Sequence, residues 1–207
     1  LNPNVLMQKR ITRIGTQDFT GELVDDASPN DNVVNWPGTS TPATIGGGNV
    51  DSYITGINDA STAVPGDAVE YTISFLSSGD TTAGNVFICD RIPANTTFIP
   101  DAFNASPPAG PGAGNRGILL EFSGAIAALT NANDGEEVGS GVTGVGGYYF
   151  PAGSDPSVAF PGSTLNCGPD ANTNGTIVVD LSDLPEATGE GIPNNSYGLI
   201  RIRAKVN

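Results

Sequence analysis

Residues Val64–Phe103, VPGDAVEYTISFLSSGDTTAGNVFICDRIPANTTFIPDAF, decide the fold. Val69, Tyr71, Ile73 and Phe75 occupy alternate positions, with Glu70, Thr72 and Ser74 between them. That spacing predicts a strand with one buried and one wetted face. Pro65-Gly66-Asp67 starts it and Ser78-Gly79-Asp80 ends it, because Pro presets φ, Gly accepts positive φ and Asp bonds the backbone that follows it. Asn85–Asp90 is apolar on both faces, Val86 and Ile88 against Phe87 and Cys89, as suits a central strand covered on both sides. Pro93-Ala94-Asn95 closes it and Thr96–Ile99 begins a third strand. The three together are expected to form a β-meander.

Composition extends the all-β reading to the whole chain. Among 207 residues, 28 are Gly and 16 are Pro while only 14% are charged, which disfavours long amphipathic helices and favours short strands joined by turns. The length suits one generous sandwich or a sandwich with an elaborated arm. Lys and Arg total 8 against 22 Asp and Glu, a net charge of −14. Phosphate binding requires a basic surface, so a nucleic-acid partner is excluded. No apolar run reaches the roughly 20 residues of a membrane span. Few lysines, no histidine and much Thr, Asn and Gly point to an exported, extracellular or cell-surface protein. The chain begins with Leu1, taken as a processed or chosen start.

The order PGD, EYTISF, SGD, NVFICDRIP and TTFIPDAF resembles the bacterial surface module known as domain of unknown function eleven, a conserved-repeat family. KRIT near the start, LNCGPDANTNG and the terminal YGLIRIRAKV are similar to the layout of single-module cyanobacterial members. The resemblance implies an immunoglobulin-like antiparallel β-sandwich in a structural or adhesive extracellular role. It carries no catalytic residues to transfer.

The chain divides into an N-terminal arm (1–14), a polar region (15–63) and the sandwich module (64–207). The arm, LNPNVLMQKRITRI, holds Lys9, Arg10 and Arg13 and no acid, a charge of +3; the other five basic residues against all 22 acids leave −17 for the remainder. As a strand it places Val5, Met7, Lys9 and Ile11 on one face. Those four residues are the candidate interface of a donor strand that leaves its own sandwich and completes a neighbour's sheet. The alternative is the first strand of a self-contained sandwich. Lys9 on an apolar face must be paired or drawn out to solvent, because burying an ammonium is costly; the resemblance adds a third course, since related surface sandwiches sometimes condense such a lysine with Asn or Asp into an isopeptide.

Cys89 and Cys167 are expected to form one disulfide in an exported chain; two buried free thiols are the alternative, and a metal site lacks both histidine and a Cys-x-x-Cys pair. No other cofactor is expected. Asp25, Asp26 and Asp31, and separately Asp134 within NANDGEE, bring oxygen ligands together that could hold calcium, although no EF-hand spacing is present. The commoner reading is a solvated acidic loop. Trp36 reads as a plug over the sandwich end. Val138–Gly147 is glycine-rich and is followed by the aromatic cluster Tyr148, Tyr149 and Phe150, Ile118, Leu120 and Phe122 alternate inward, Ala125–Leu129 is ambiguous between helical turn and strand, and Thr176–Leu181 and Tyr197–Asn207 alternate cleanly. Asn95, Asn104, Asn174 and Asn194 stand in glycosylation sequons and leave surface glycans open.

Enzymatic chemistry is not expected: acid pairs such as Asp25/Asp26 and Glu136/Glu137 are adjacent and point to opposite faces of a strand, and no Gly-x-Ser-x-Gly or phosphate loop is present. The expected function is a subunit of an extracellular filament, sheath or surface layer, a homopolymer built head to tail by strand donation. The alternative is a monomeric adhesin or carbohydrate-binding module using the loops of residues 105–150.

Overall fold

A computed structural model describes residues 2–19, 23–24, 44–45, 48–49, 57–58, 60–105, 115–122, 125–129, 132–136, 145–186 and 196–207. Its strands, in chain order, are β1 (Val5–Ile14), β2 (Gln17–Asp18), β3 (Leu23–Val24), β4 (Thr44–Ile45), β5 (Gly48–Asn49), β6 (Ile57–Asn58), β7 (Ala68–Ser77), β8 (Ala83–Arg91), β9 (Thr96–Phe98), β10 (Ile118–Phe122), β11 (Ala125–Leu129), β12 (Ala132–Glu136), β13 (Val145–Phe150), β14 (Thr176–Leu184) and β15 (Tyr197–Val206). A short 3-10 turn, Pro156–Ala159, is capped by the Asp155 side chain.

Two antiparallel sheets pack face to face as a β-sandwich. The larger runs β11-β10-β15-β7-β1-β2, with β9 joining β15 beyond the end of β10; the smaller runs β12-β13-β14-β8. Strands β3 and β6, and β4 and β5, form two-residue ladders of their own. Ile73, Phe75, Ile118, Leu120, Phe122, Ile200 and Ile202 from the larger sheet meet Ile88, Ile177, Val179 and Leu181 from the smaller one in the main core. The inward alternation expected at β10, β14 and β15 is found there, and Ala125–Leu129 resolves as strand. Phe98 stacks on Tyr149 at 4.6 Å, closing the core between β9 and β13.

Three expectations for the decisive stretch are corrected. The strands β7, β8 and β9 do not form a meander: β7 and β9 belong to the larger sheet and β8 to the smaller. Nor is β8 central; among the described residues it pairs with β14 alone and ends its sheet. Its outward side chains are covered by the segment 151–175, where Phe160 packs on Phe87 at 5.1 Å and Cys167 bonds Cys89. A loop can bury an edge strand's outer face as a third layer, and apolar residues on both faces do not distinguish the two cases. The polar face of β7 is not wetted either: Glu70, Thr72 and Ser74 are buried.

The pairing of β7 explains that burial. It lies between β1 and β15, both antiparallel to it and therefore parallel to each other. Thr12 of β1 and Arg201 and Arg203 of β15 converge on it from the two sides. Glu70 accepts from Thr12 Oγ1 at 3.0 Å and from Arg203 Nε at 2.9 Å, with Arg201 Nε 3.8 Å away; Thr72 accepts from Arg201 Nε at 3.2 Å. Glu70 and Thr72 thus each have hydrogen-bonding partners within the sheet. Val5 faces Ser77, whereas Lys205 faces Ala68, so the two chain ends leave the sheet at opposite ends of β7.

Candidate assembly strand and its seam

Strand β1 runs for ten residues along the edge of β7, from Val5 opposite Ser77 to Ile14 opposite Val69, with one register shift between Ile11 and Arg13. In the single chain the arm seats along β7 of its own sheet. The physical reason is the match of lengths: β7 also has ten residues, and an unpaired edge of that length would leave a row of backbone donors and acceptors unmet. On its other side β1 pairs with β2 at Arg13 and Ile14, through the turn at Gly15, whose φ of +58° suits glycine, and Phe19 N donates to Thr12 O at 2.8 Å.

The four predicted interface residues do share one face, along the open flank between the sheets. Val5 is half-buried against the main core, and Ile11 is half-buried against the smaller cluster of Ile14, Phe19 and Val69. Met7 is 55% exposed, so it fills no groove in the isolated chain. Lys9 crosses to the other sheet: its Nζ donates to Asp90 Oδ1 of β8 at 2.7 Å and stands 4.8 Å from the centre of the Tyr71 ring. Strands β1 and β8 flank the same side of the sandwich, and this pair spans the seam between them.

Electrostatics at the seam are unbalanced. The Asp90 side chain is 12% exposed while that of Lys9 is 34% exposed. Burial pushes the Asp90 carboxyl above the ordinary carboxylate range, and Lys9 offsets only part of that rise through its charge and hydrogen bond. With the folded value above the unfolded one, this carboxyl subtracts stability as pH climbs from the ordinary carboxylate range through the raised value. Asp90 Oδ2 is buried without a hydrogen-bond partner. Burial first, and then the charge of Asp90, also raises the Tyr71 hydroxyl above its usual value.

The N-terminal end of β1 is clamped at the turn after β7. Ser78 N donates to Asn4 O at 2.8 Å, Asn2 N to Asp80 Oδ1 at 3.0 Å and Asn4 Nδ2 to Ser78 Oγ at 2.8 Å. Gly79 makes this approach possible, since a Cβ there would lie 2.6 Å from both Asn2 O and Asn4 N. Gly79→Ala is expected to displace residues 2–4 and weaken the clamp by about 1–3 kcal/mol. Hydrogen exchange should then speed up in the peptide covering residues 2–7 and stay unchanged in β15; equal protection in wild type and variant would refute the clamp.

The other candidates distribute differently. Cys89 and Cys167 form the expected disulfide, with Cα atoms 5.4 Å apart. Asp25, Asp26, Asp31 and Trp36 lie outside the described residues. Asp134 is a backbone member of β12, opposite Gly146. Among the described residues no three metal-ligating side chains gather. In one sequon, Asn174 spends its amide on the carbonyls of Ile92, Pro93 and Thr96, so its nitrogen is committed to the fold. Asn104 Oδ1 accepts from Arg116 N at 2.7 Å, Asn95 is exposed, and Asn194 lies outside the described residues. A depression of about 660 Å³ lies beneath the segment 151–175, lined by Arg91, Asp155, Asp170 and Asn172 among others. The Arg91 guanidinium there is turned to the backbone carbonyls of Cys167, Gly168, Asp170 and Ala171 and serves as a brace for the loop.

Sequence reasoning missed Asp90 as the partner of Lys9 and missed Glu70 as a buried acid. The second had a visible signal: Arg201 and Arg203, two positions apart on a strand, present two guanidinium groups to one face, which calls for an acid on the neighbouring strand. No helix among the described residues is long and apolar enough to cross a membrane. Comparisons with protein-family models, with curated proteins and with solved structures found no match to this chain.

Proposed function

We propose that the chain is a structural subunit of an extracellular assembly, in which β1 of one copy occupies the β7 edge of the next. The observation that carries this reading is the position of β1 at the rim of the main core. None of the buried residues of the main core comes from residues 1–14; β1 contributes only partial packing through Val5. A strand bound by its backbone ladder, by buried Arg10, Thr12 and Ile14 and by half-buried Val5 and Ile11 can be exchanged between copies at little net change in contacts, since the same register is re-formed in the partner. The charge of +3 on the arm against −17 on the remainder favours its seating on any copy of the body, its own or another. A head-to-tail contact of this kind leaves a free arm at one end and a free edge at the other, so it propagates. The disulfide suits an oxidising compartment outside the cytosol.

The test uses two separate variants, Val5→Cys and Ser77→Cys, at positions directly opposite in the β1–β7 register. Mixed and mildly oxidised, they should yield covalent heterodimers on a non-reducing gel, and the Val5→Cys/Ser77→Cys double variant should yield a ladder. Cross-linking confined to single chains in the double variant, with no heterodimer from the mixture, would show that β1 stays at home and that the subunit is self-contained.

A further inference from the structure

The two parts of β1 are held in different ways, and the division falls at one residue. Ile11 stands opposite Tyr71 and Arg13 opposite Glu70, so Thr12 is an extra residue with no rung of its own on β7. A bulge of this kind interrupts the ladder. From Thr12 onward the chain is anchored to its body. Thr12 Oγ1 donates to Glu70 Oε1 at 3.0 Å and lies 2.8 Å from Thr72 Oγ1. Gly15 N donates to Ala68 O at 2.8 Å, Phe19 N closes back on Thr12 O, and Ile14 and Phe19, 8% and 1% exposed, pack with Val69.

Before the bulge the side chains are held more lightly. Among residues 5–11 Arg10 alone is buried; Val5, Leu6, Gln8 and Ile11 are half-buried and Met7 is exposed. Lys9 reaches Asp90 from a position one-third open to water. The segment is otherwise fastened by its main-chain rungs from Val5 to Ile11 and by the clamp at Gly79, both of which every copy offers alike. A strand that opens from its end opens as far as the first well-anchored group.

We propose that strand exchange stops at this bulge: residues 2–11 pass to the next copy and residues 12–19 stay on their own body. The inference rests on the exchange proposed above and fixes its extent, which is shorter than the arm 1–14 marked off by the sequence. The surface that one copy offers the next is then the β7 edge from Tyr71 to Ser77, the turn Ser78–Asp80 that receives Asn2 and Asn4, and Asp90 of β8, which takes the incoming Lys9. Glu70 lies on the anchored side and keeps Thr12, Arg201 and Arg203 of its own chain. The point where the ladder is already broken is the point where the chain turns from one body to the other, as the hinge of a swapped element must.

Cysteine pairs at two registers of the same strand read the boundary. Val5→Cys mixed with Ser77→Cys should give heterodimers, while Ile14→Cys mixed with Val69→Cys, also directly opposite in register, should give none. The Ile14→Cys/Val69→Cys double variant should close its bond within one chain, which shows that the anchored site still forms. Heterodimers from the Ile14→Cys and Val69→Cys mixture overturn the boundary, and when the Val5→Cys and Ser77→Cys mixture gives them too, the exchange itself stands. Heterodimers from neither mixture overturn both. Hydrogen exchange on the wild-type protein gives a reading free of substitutions: the amides of residues 5–11 should exchange together and faster than those of Gly15 and Phe19. Equal rates from residue 5 to residue 19 would mean that β1 and β2 open as one unit, and would overturn the bulge as the place where exchange stops.

Discussion

Replacing Cys89 and Cys167 together by serine is expected to lower the stability of the chain by about 4.5 kcal/mol, the loop-entropy value for a bridge spanning 78 residues. The loss concentrates in the segment 151–175, which the bond pins over the outer face of β8 and β14. Without it, that layer is held by the Arg91 brace on the carbonyls of residues 167–171, by Asn172 donating to the carbonyls of Pro151 and Ser154, and by the packing of Phe160 on Phe87 and Tyr148. Urea unfolding of the oxidised protein and the double-serine variant measures the difference. Limited proteolysis should in addition cut the variant first between residues 151 and 175. An unchanged urea midpoint, or first cleavage elsewhere, would show that the segment holds itself in place and the bridge is dispensable.

Removing the Glu70 carboxylate is expected to cost about 3–5 kcal/mol in a Glu70→Ala variant, the range for breaking one side of a buried ion pair. Glu70 is 4% exposed and is the acid that answers Arg203 at 2.9 Å and Arg201 at 3.8 Å, while also accepting from Thr12. The two arginines keep partial access to water, with side chains 28% and 19% exposed, which places the expected value near the lower end. Arg203 also retains the Phe103 ring, 4.8 Å from its guanidinium carbon. A double-mutant cycle with Arg203→Leu separates the pair from the space it fills: most of the loss should already be present in either single variant, and the double variant should recover part of it. If Glu70→Ala unfolds at the same denaturant concentration as wild type, the network is ornamental and the strands are ordered by their ladders alone.

Legibility in the sequence followed the range of the interaction. The alternation at Ile118–Phe122, Thr176–Leu181 and Tyr197–Val206 is local, and those strands lie where it puts them, each with its apolar side chains in the main core. The disulfide was legible from chemistry, since two cysteines in an export-like composition have few other uses. What failed were statements about neighbours. The stretch Asn85–Asp90 advertises two apolar faces, yet nothing within it tells a second sheet neighbour from a loop folded over the outside. Glu70 looks wetted until Arg201 and Arg203 are brought beside it from more than 130 residues away. Lys9 was conspicuous on its face, but its partner Asp90 is set by the approach of two sheet edges, and no spacing in the chain encodes that approach. For the arm, local pattern supplies the strand and its face; whether β7 of the same copy or of another receives it is a matter of concentration as much as of sequence.

The placement of β7 between two parallel neighbours bears on how the molecule responds to tension. The N-terminus departs beside Ser77 and the C-terminus beside Ala68, at opposite ends of one ten-residue strand. A pull between the two termini is directed along the strands, so β1 and β15 are drawn in opposite senses past β7. Every rung of both ladders is strained at once over a length of about 33 Å, instead of opening one after another from an end. The Lys9–Asp90 contact, lying across that direction of sliding, ties the same shear to the second sheet.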